Sequence, residues 1–91
     1  MLEFKEANAT SQDVEAKGDY LAYVSADSFG ADAVHIEQKI GGDWRRYSNL
    51  SFTASTGGQV VPCNSGTKVR VVTEALVVNP VVVLQLHAKR R

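Results

Sequence analysis

The chain has 91 residues, of which 44% are hydrophobic and 22% charged, and its ten basic and ten acidic side chains give a net charge of zero. This length fits one domain with one core, and the balanced composition excludes a disordered chain. No apolar run reaches the roughly 18 residues of a membrane-spanning helix, and domains that bind nucleic acid are usually strongly basic. We therefore expect a globular domain that binds neither membranes nor nucleic acids.

Residue types that carry chemistry are scarce. Cys63 is the only cysteine, which excludes an internal disulfide, and beside Pro62 it is expected to pack in a loop because nothing nearby supplies a base. His35 and His87 fall at polar positions of alternating segments, which predicts exposed structural histidines and no metal site. Carboxylates are scattered, and residues 65–68 hold the ingredients of a phosphate loop in the wrong order. We predict no catalytic residue, no cofactor and no metal, and hence a protein that is not an enzyme.

The first nineteen residues carry weak strand patterns. Leu2 and Phe4 alternate with charged residues, which predicts a short strand. Residues 12–17 are read as another strand, and a single helical turn ended by Gly18 is the alternative. The start of the chain alternates in charge where a signal peptide needs an apolar core, so we expect no export by that route. We predict an N-terminal arm or edge strand over residues 1–19.

The clearest alternation lies in residues 33–47. Apolar residues share one parity from Val34 to Ile40 and polar residues share the other, with Gln38 as the single exception, as in a strand with one buried face. Residues 41–43 provide a glycine-rich turn, and the segment beginning at Trp44 returns as a second strand. A capped helix that ends at the glycines is the alternative. The predicted structural core of this hairpin consists of Val34, Ile36 and Trp44.

The remaining segments complete a regular series of strands. Residues 20–26 carry aromatic and branched side chains on both parities, which predicts a strand covered on both faces. Further strands are predicted over residues 50–55, 59–61, 68–73, 76–78 and 81–87, with a turn at 56–58. About seven or eight strands without a substantial helix are typical of antiparallel sandwiches and barrels. We predict an all-β fold, a single antiparallel β-sandwich of jelly-roll or immunoglobulin-like type over residues 20–88, followed by a charged tail at 89–91.

Two features of the sequence predict a contact surface. Residues 1–37 hold eight acids and two bases, and residues 38–91 hold two acids and eight bases, so the charges can complement a partner or can simply form solvated faces. The last strands carry valines on both parities, whereas a sandwich strand turns only one face towards its own core. We expect a homo-oligomer to cover the other face, with the N-terminal arm as the alternative cover. The candidate contact residues are Val77, Val78, Val81, Val83, Arg45 and Arg46.

Several short pieces occur in a characteristic order: Val34-His-Ile-Glu37, Gly41-Gly-Asp-Trp44, a polar strand, Pro62 before Ser65-Gly-Thr67, and Val69-Arg-Val71. In this order the chain resembles small β-sandwich virion proteins of tailed bacteriophages. The resemblance implies a capsid decoration (cement) protein, made in the host bacterial cytoplasm and assembled onto the virion. It also implies a homo-oligomer, with a trimer expected, that contacts the major capsid protein or other virion proteins. A receptor- or carbohydrate-binding module of a fibre, with exposed tyrosine and tryptophan against sugar rings, is the alternative.

Overall fold

A computed structural model describes residues 2–63 and 66–87, and the predicted charged tail at 89–91 lies outside these residues. All helical or extended structure within the two described ranges is β-strand, which confirms the all-β prediction. Nine strands are found in these ranges. They are β1 (Leu2–Phe4), β2 (Ala9–Thr10), β3 (Val14–Glu15), β4 (Tyr20–Ser25), β5 (Val34–Ile40), β6 (Asp43–Phe52), β7 (Thr56–Val61), β8 (Lys68–Thr73) and β9 (Val81–Leu86).

The strands form two antiparallel sheets that pack face to face as a β-sandwich. Sheet A has the order β1-β9-β4-β7, and sheet B has the order β2-β8-β5-β6, with β3 also paired to β8. The pairs are nested along the chain, because β5 pairs with β6, β4 with β7, β2 and β3 with β8, and β1 with β9. One long hairpin rolled into two sheets in this way is a jelly roll. The immunoglobulin-like alternative is therefore wrong.

The β5–β6 hairpin forms the tip of this nest. Ile40 pairs with Asp43, which leaves Gly41 and Gly42 as the only turn residues between the two strands. Their φ angles are 63° and 87°. Two successive positive φ angles belong to the type I′ turn, whose twist matches that of the flanking strands. The hairpin prediction is confirmed, and the helix alternative for this segment is wrong.

The core lies between the two sheets and takes its side chains from the inward face of each. Val34 and Ile36 are fully buried there, as predicted. Val77 is also buried, because the connection after β8 folds it inward between the sheets, so its predicted role as a contact residue is wrong. The buried cluster comprises Ala16, Ala22, Val24, Val34, Ile36, Leu50, Phe52, Val61, Cys63, Val69, Val71, Val77, Val82 and Leu84.

Two strands of sheet A differ from the prediction. The mixed pattern of residues 20–26 predicts a strand covered on both faces, but β4 turns Tyr20, Ala22 and Val24 towards the core and leaves Tyr23 exposed on the other face. The turn predicted at 56–58 is instead the first half of β7. An irregularity in the β4–β7 register absorbs these glycines, so the strand begins earlier than the sequence pattern indicates.

The N-terminal segment runs along the edges of both sheets. β1 flanks β9, with Leu2 opposite Leu84, while β2 and β3 flank β8 in sheet B. Leu2 and Phe4 pack against the core cluster. Because β1 lies beside β9 in the plane of sheet A, it covers the edge of β9 and leaves the outer face of that strand to other groups.

Candidate functional site

Trp44 lies on the outer face of sheet B and not in the core. The two-residue turn places Trp44 opposite Lys39, and residues that face each other across a pair of strands share a face of the sheet. Lys39 has the outward parity of Glu37, whereas Val34 and Ile36 point inward. The predicted core role of Trp44 is therefore wrong, and its half-buried ring belongs to a charged surface.

Three strands of sheet B bring two arginines onto one carboxylate. Glu37 of β5 stands opposite Arg46 of β6 and opposite Arg70 of β8. Arg46 Nε donates to Glu37 Oε2 at 2.5 Å, and Arg70 Nε donates to Glu37 Oε1 at 2.7 Å. The guanidinium of Arg70 also stacks on Trp44, with its Cζ 4.2 Å from the ring centroid. We call Glu37, Arg46, Arg70 and Trp44 the arginine clamp.

The carboxylate of the arginine clamp is buried although its two partners reach solvent. Glu37 is only 4% exposed. Burial alone raises the pKa of a carboxyl group, but the hydrogen bonds and charges of Arg46 and Arg70 outweigh it, so the pKa of Glu37 lies below its usual value. Glu37 is thus ionised at neutral pH. The side chains of Arg46 and Arg70 remain 49% and 29% exposed and present cationic groups at the surface.

His35 lies on the same outer face and is buried, with 9% of its surface exposed. Its Nδ1 is 2.8 Å from Ser51 Oγ, and its Nε2 is 2.8 Å from Glu74 Oε1. Glu74 Oε1 also accepts the backbone N–H of Ala33 at 3.1 Å. The prediction that His35 is exposed is wrong, because β6 and the segment after β8 occupy both of its ring nitrogens.

Ser51, His35 and Glu74 form a hydrogen-bonded row that fastens an irregular part of β6. The four residues from Tyr47 to Leu50 stand opposite the single residue Ile36, which makes an irregular bulge. The Ser51 hydroxyl lies 3.2 Å from the carbonyl oxygen of Tyr47 as well as against the imidazole, so it closes this bulge. The hydrogen bond to His35 is the main cause that lowers the pKa of Glu74, which keeps the row charged at its outer end.

Cys63 packs against the core, as its place beside Pro62 predicts. Its backbone N–H donates to Asp19 Oδ1 at 3.0 Å. Burial, together with the negative charge of Asp19, raises the pKa of the Cys63 thiol to about 11. The thiol is therefore protonated at neutral pH. A reactive thiol would need a base, and both ring nitrogens of His35 are already hydrogen-bonded to Ser51 and Glu74.

The outer face of sheet A carries a row of apolar side chains, beside the polar residues Glu3, Ser25 and Gln85. Tyr23 stands opposite Val83 across β4 and β9, and Leu21 stands opposite Val60 across β4 and β7. Val81 continues the row along β9. Tyr23 and Val60 are 40% and 41% exposed, and the other three apolar side chains are half-buried. We call these five apolar residues the apolar face.

The predicted contact residues fall on separate surfaces. Val81 and Val83 belong to the apolar face, whereas Val78 is exposed in the connection between β8 and β9. Arg46 belongs to the arginine clamp. Arg45 points to the other side of β6, where its Nη2 lies 3.7 Å from Asp43 Oδ2. Sequence reasoning missed the residues whose roles depend on which strands are neighbours, namely Leu21, Tyr23, Glu37, Ser51, Val60, Arg70 and Glu74.

Within residues 2–63 and 66–87, no three histidine, cysteine, aspartate or glutamate side chains form a group suited to a metal ion. His87 donates its backbone N–H to the carbonyl oxygen of Asp19 at 2.8 Å. The same two ranges contain no helix of the length and hydrophobicity that crossing a bilayer requires.

Comparison with known protein families, curated proteins and solved structures gives no match to this chain.

Proposed function

We propose that this chain is a structural virion protein of a bacteriophage, a capsid decoration (cement) protein that acts through protein–protein contacts. The apolar face is the observation that carries the proposal. It exposes a row of apolar side chains on a sheet whose opposite side already fills the core. Monomeric soluble proteins rarely expose large contiguous apolar patches, and such patches often mark contact sites. The jelly-roll fold, which many viral capsid domains share, and the resemblance to phage virion proteins give the class of partner.

The first occupant of the apolar face is a second copy of the chain, in a homo-oligomer that we expect to be a trimer. The face extends to β7, which is an edge strand of sheet A, and Val60 is exposed there. Edge strands present unpaired backbone groups to which another chain can add. The assembled oligomer then contacts the major capsid protein or another virion protein, after synthesis in the host bacterial cytoplasm.

Sedimentation equilibrium at micromolar concentration tests the oligomer. We expect a mass above the 9.9 kDa of one chain, and we expect Val83→Asp to shift it to the monomer because a buried carboxylate in an apolar contact is unfavourable. Val78→Asp is the matched control, since it places the same charge on an exposed valine outside the apolar face. A wild-type mass of 9.9 kDa, with Val83→Asp still soluble and folded, contradicts the proposed oligomer.

A receptor- or carbohydrate-binding module of a tail or head fibre is the second candidate. The position of the half-buried Trp44 outside the core favours it, and Tyr47 on the same strand is exposed. Aromatic rings of this kind offer a flat apolar surface with a polar tip. The number of copies in purified virions, measured on a quantitative gel, separates the two candidates. A decoration protein is present in many copies per particle, whereas a fibre module is present in few.

A further inference from the structure

We propose that the arginine clamp binds a carboxylate of an acidic protein partner, supplied by an aspartate or glutamate side chain. The clamp lies on the outer face of sheet B, whereas the apolar face lies on sheet A. The inference therefore goes beyond the proposed function, and either of the two contacts can fail in an experiment while the other holds.

Glu37 aligns the two arginines before any partner arrives. Arg46 and Arg70 approach it from the strands on either side of β5, and each directs its Nε at a different oxygen of the same carboxylate. Ordering a long arginine side chain costs conformational entropy, and here the fold has already ordered both of them. A guanidinium presents paired N–H donors in a plane, a geometry that matches the two oxygens of a carboxylate.

The charge of the clamp favours a monoanion. Within the clamp, two guanidinium groups and the ionised Glu37 carboxylate leave a single positive charge, and the charge of Arg46 also acts on the nearby carboxylate of Glu74, whose pKa it helps to lower. A phosphate dianion placed there meets additional repulsion from Glu37, whereas a carboxylate carries only one negative charge. Lys39 adds a further cation at the same surface, with its Nζ 5.9 Å from the centroid of the Trp44 ring.

Trp44 fits the clamp to a protein partner and also reports on it. Its half-buried ring lies against the guanidinium of Arg70, so arginine and tryptophan form one surface. These two residue types are enriched among the residues that dominate the energy of protein–protein contacts. Because Trp44 is the only tryptophan of the chain, its fluorescence changes when a group binds beside Arg70.

Titration of the full chain with acetylated tetraglutamate amide, followed by Trp44 emission, tests the proposal. We expect a saturable change that tetraglutamine does not produce and that inorganic phosphate produces more weakly at equal ionic strength. Added salt should weaken the binding, because exposed charges are screened over roughly 8 Å at physiological ionic strength. Tighter binding of phosphate than of the peptide overturns the choice of a carboxylate, and no saturable response to the peptide overturns the site.

Arginine variants locate the binding. We expect Arg46→Gln to raise the Kd for tetraglutamate about fivefold, the upper range for a partly exposed ion pair. Arg45→Gln is the matched control, since it removes the same charge from the next residue on the other side of β6, and we expect the Kd to change less than about twofold. Equal losses in the two variants would mean that net charge alone attracts the peptide. Circular dichroism establishes that each variant is folded.

Two conservative variants test the alignment itself. Arg46→Lys keeps the charge and the fold but lacks the planar fork, so we expect a loss close to that of Arg46→Gln. Glu37→Gln increases the net positive charge of the clamp while it loosens the two arginines. A general cationic patch would bind the peptide more tightly after this change. We expect weaker binding, and tighter binding in folded Glu37→Gln overturns the aligned clamp.

Discussion

Two single residues, Trp44 and Glu37, take positions opposite to those that their side-chain types predict. The tryptophan lies on an outer face, and the glutamate is almost fully buried on that same face. The place of Trp44 follows from the length of the Gly41-Gly42 turn, because a two-residue turn fixes the pairs of residues next to it on the two strands. The sequence therefore contained this information. The burial of Glu37 did not follow from the sequence, because it requires Arg70, which arrives on a strand distant along the chain.

Replacement of Trp44 by alanine tests its place outside the core. We expect a folded protein that loses about 1–2 kcal/mol of unfolding free energy, since a cation–π contact and a half-buried ring are lost but no core cavity is made. Ile36→Ala is the core reference and should cost about 2–5 kcal/mol. Urea denaturation followed by circular dichroism measures both. If Trp44→Ala lost as much unfolding free energy as Ile36→Ala, the position of Trp44 outside the core would be contradicted.

Removal of the Glu37 carboxylate should destabilise the fold. Glu37→Ala leaves Arg46 and Arg70 close together without an anion, and we expect a loss of about 1–3 kcal/mol, limited because both arginines can reach water. The comparison is Glu3→Ala. In the wild-type protein Glu3 Oε1 lies 3.6 Å from Lys5 Nζ in an exposed ion pair, which should contribute less than about 1 kcal/mol. Urea midpoints at neutral pH give both values, and equal losses in the two variants would contradict the buried pair.

The lowered pKa of Glu37 makes stability depend on pH. A carboxyl group whose pKa is lower in the folded state contributes stability that is present above its usual pKa of 4.5 and is lost as pH falls through the folded value. Glu74 shifts in the same direction, but it is more exposed and contributes less. We expect the unfolding free energy to fall in the acid range below the usual pKa of 4.5, and to fall less steeply in Glu37→Gln. A series of urea midpoints across this range measures the two slopes, and parallel slopes would count against the effect.

Among the strands, those in which charged residues alternate with apolar ones could be predicted from the sequence, whereas glycine-rich strands could not. β8 has the predicted bounds because charged side chains alternate with valines at its start. The second and third residues of β7 are Gly57 and Gly58, and Gly58 has a positive φ, a composition that normally indicates a turn. Pairing with β4 overrides this local preference, and no property of residues 56–58 alone reveals that pairing.

Two glycines in connections between strands should respond differently to substitution. Gly30 has a φ of +61°, and a Cβ there would lie 2.9 Å from the Cβ of Leu76. Gly41 has a φ of +63° with nothing within 4 Å of such a Cβ. We expect Gly41→Ala to cost about 1–2 kcal/mol from left-handed backbone alone, and Gly30→Ala to cost about 1–3 kcal/mol more from the steric conflict. Thermal melts compare the two variants, and equal costs would mean that Leu76 moves aside freely.

For the whole molecule, the sequence indicates the class of fold but not the assignment of the C-terminal valines. Alternation shows that a strand has two faces, and it identifies the inward face only when the other one is polar. β9 is apolar on both parities, so only its neighbours β1 and β4 decide that Val82 and Leu84 fill the core while Val83 faces outward. Val77 reaches the core from the connection between β8 and β9, and a connection has no strand periodicity from which its burial could be predicted.

The nested pairing of the jelly roll also sets the order in which the chain can fold. Leu2 lies opposite Leu84, whereas the strands at the tip are joined by two residues. The entropic cost of closing a loop rises with its length, so the β5–β6 tip is expected to close first and the β1–β9 pair last. Domains dominated by such distant contacts fold in about milliseconds to seconds. Until β1 pairs with β9, a newly made chain exposes the valine-rich edge of β9. A strand of another chain can pair with this edge if it arrives before β1 does, so slow pairing of β1 favours misassembly between chains.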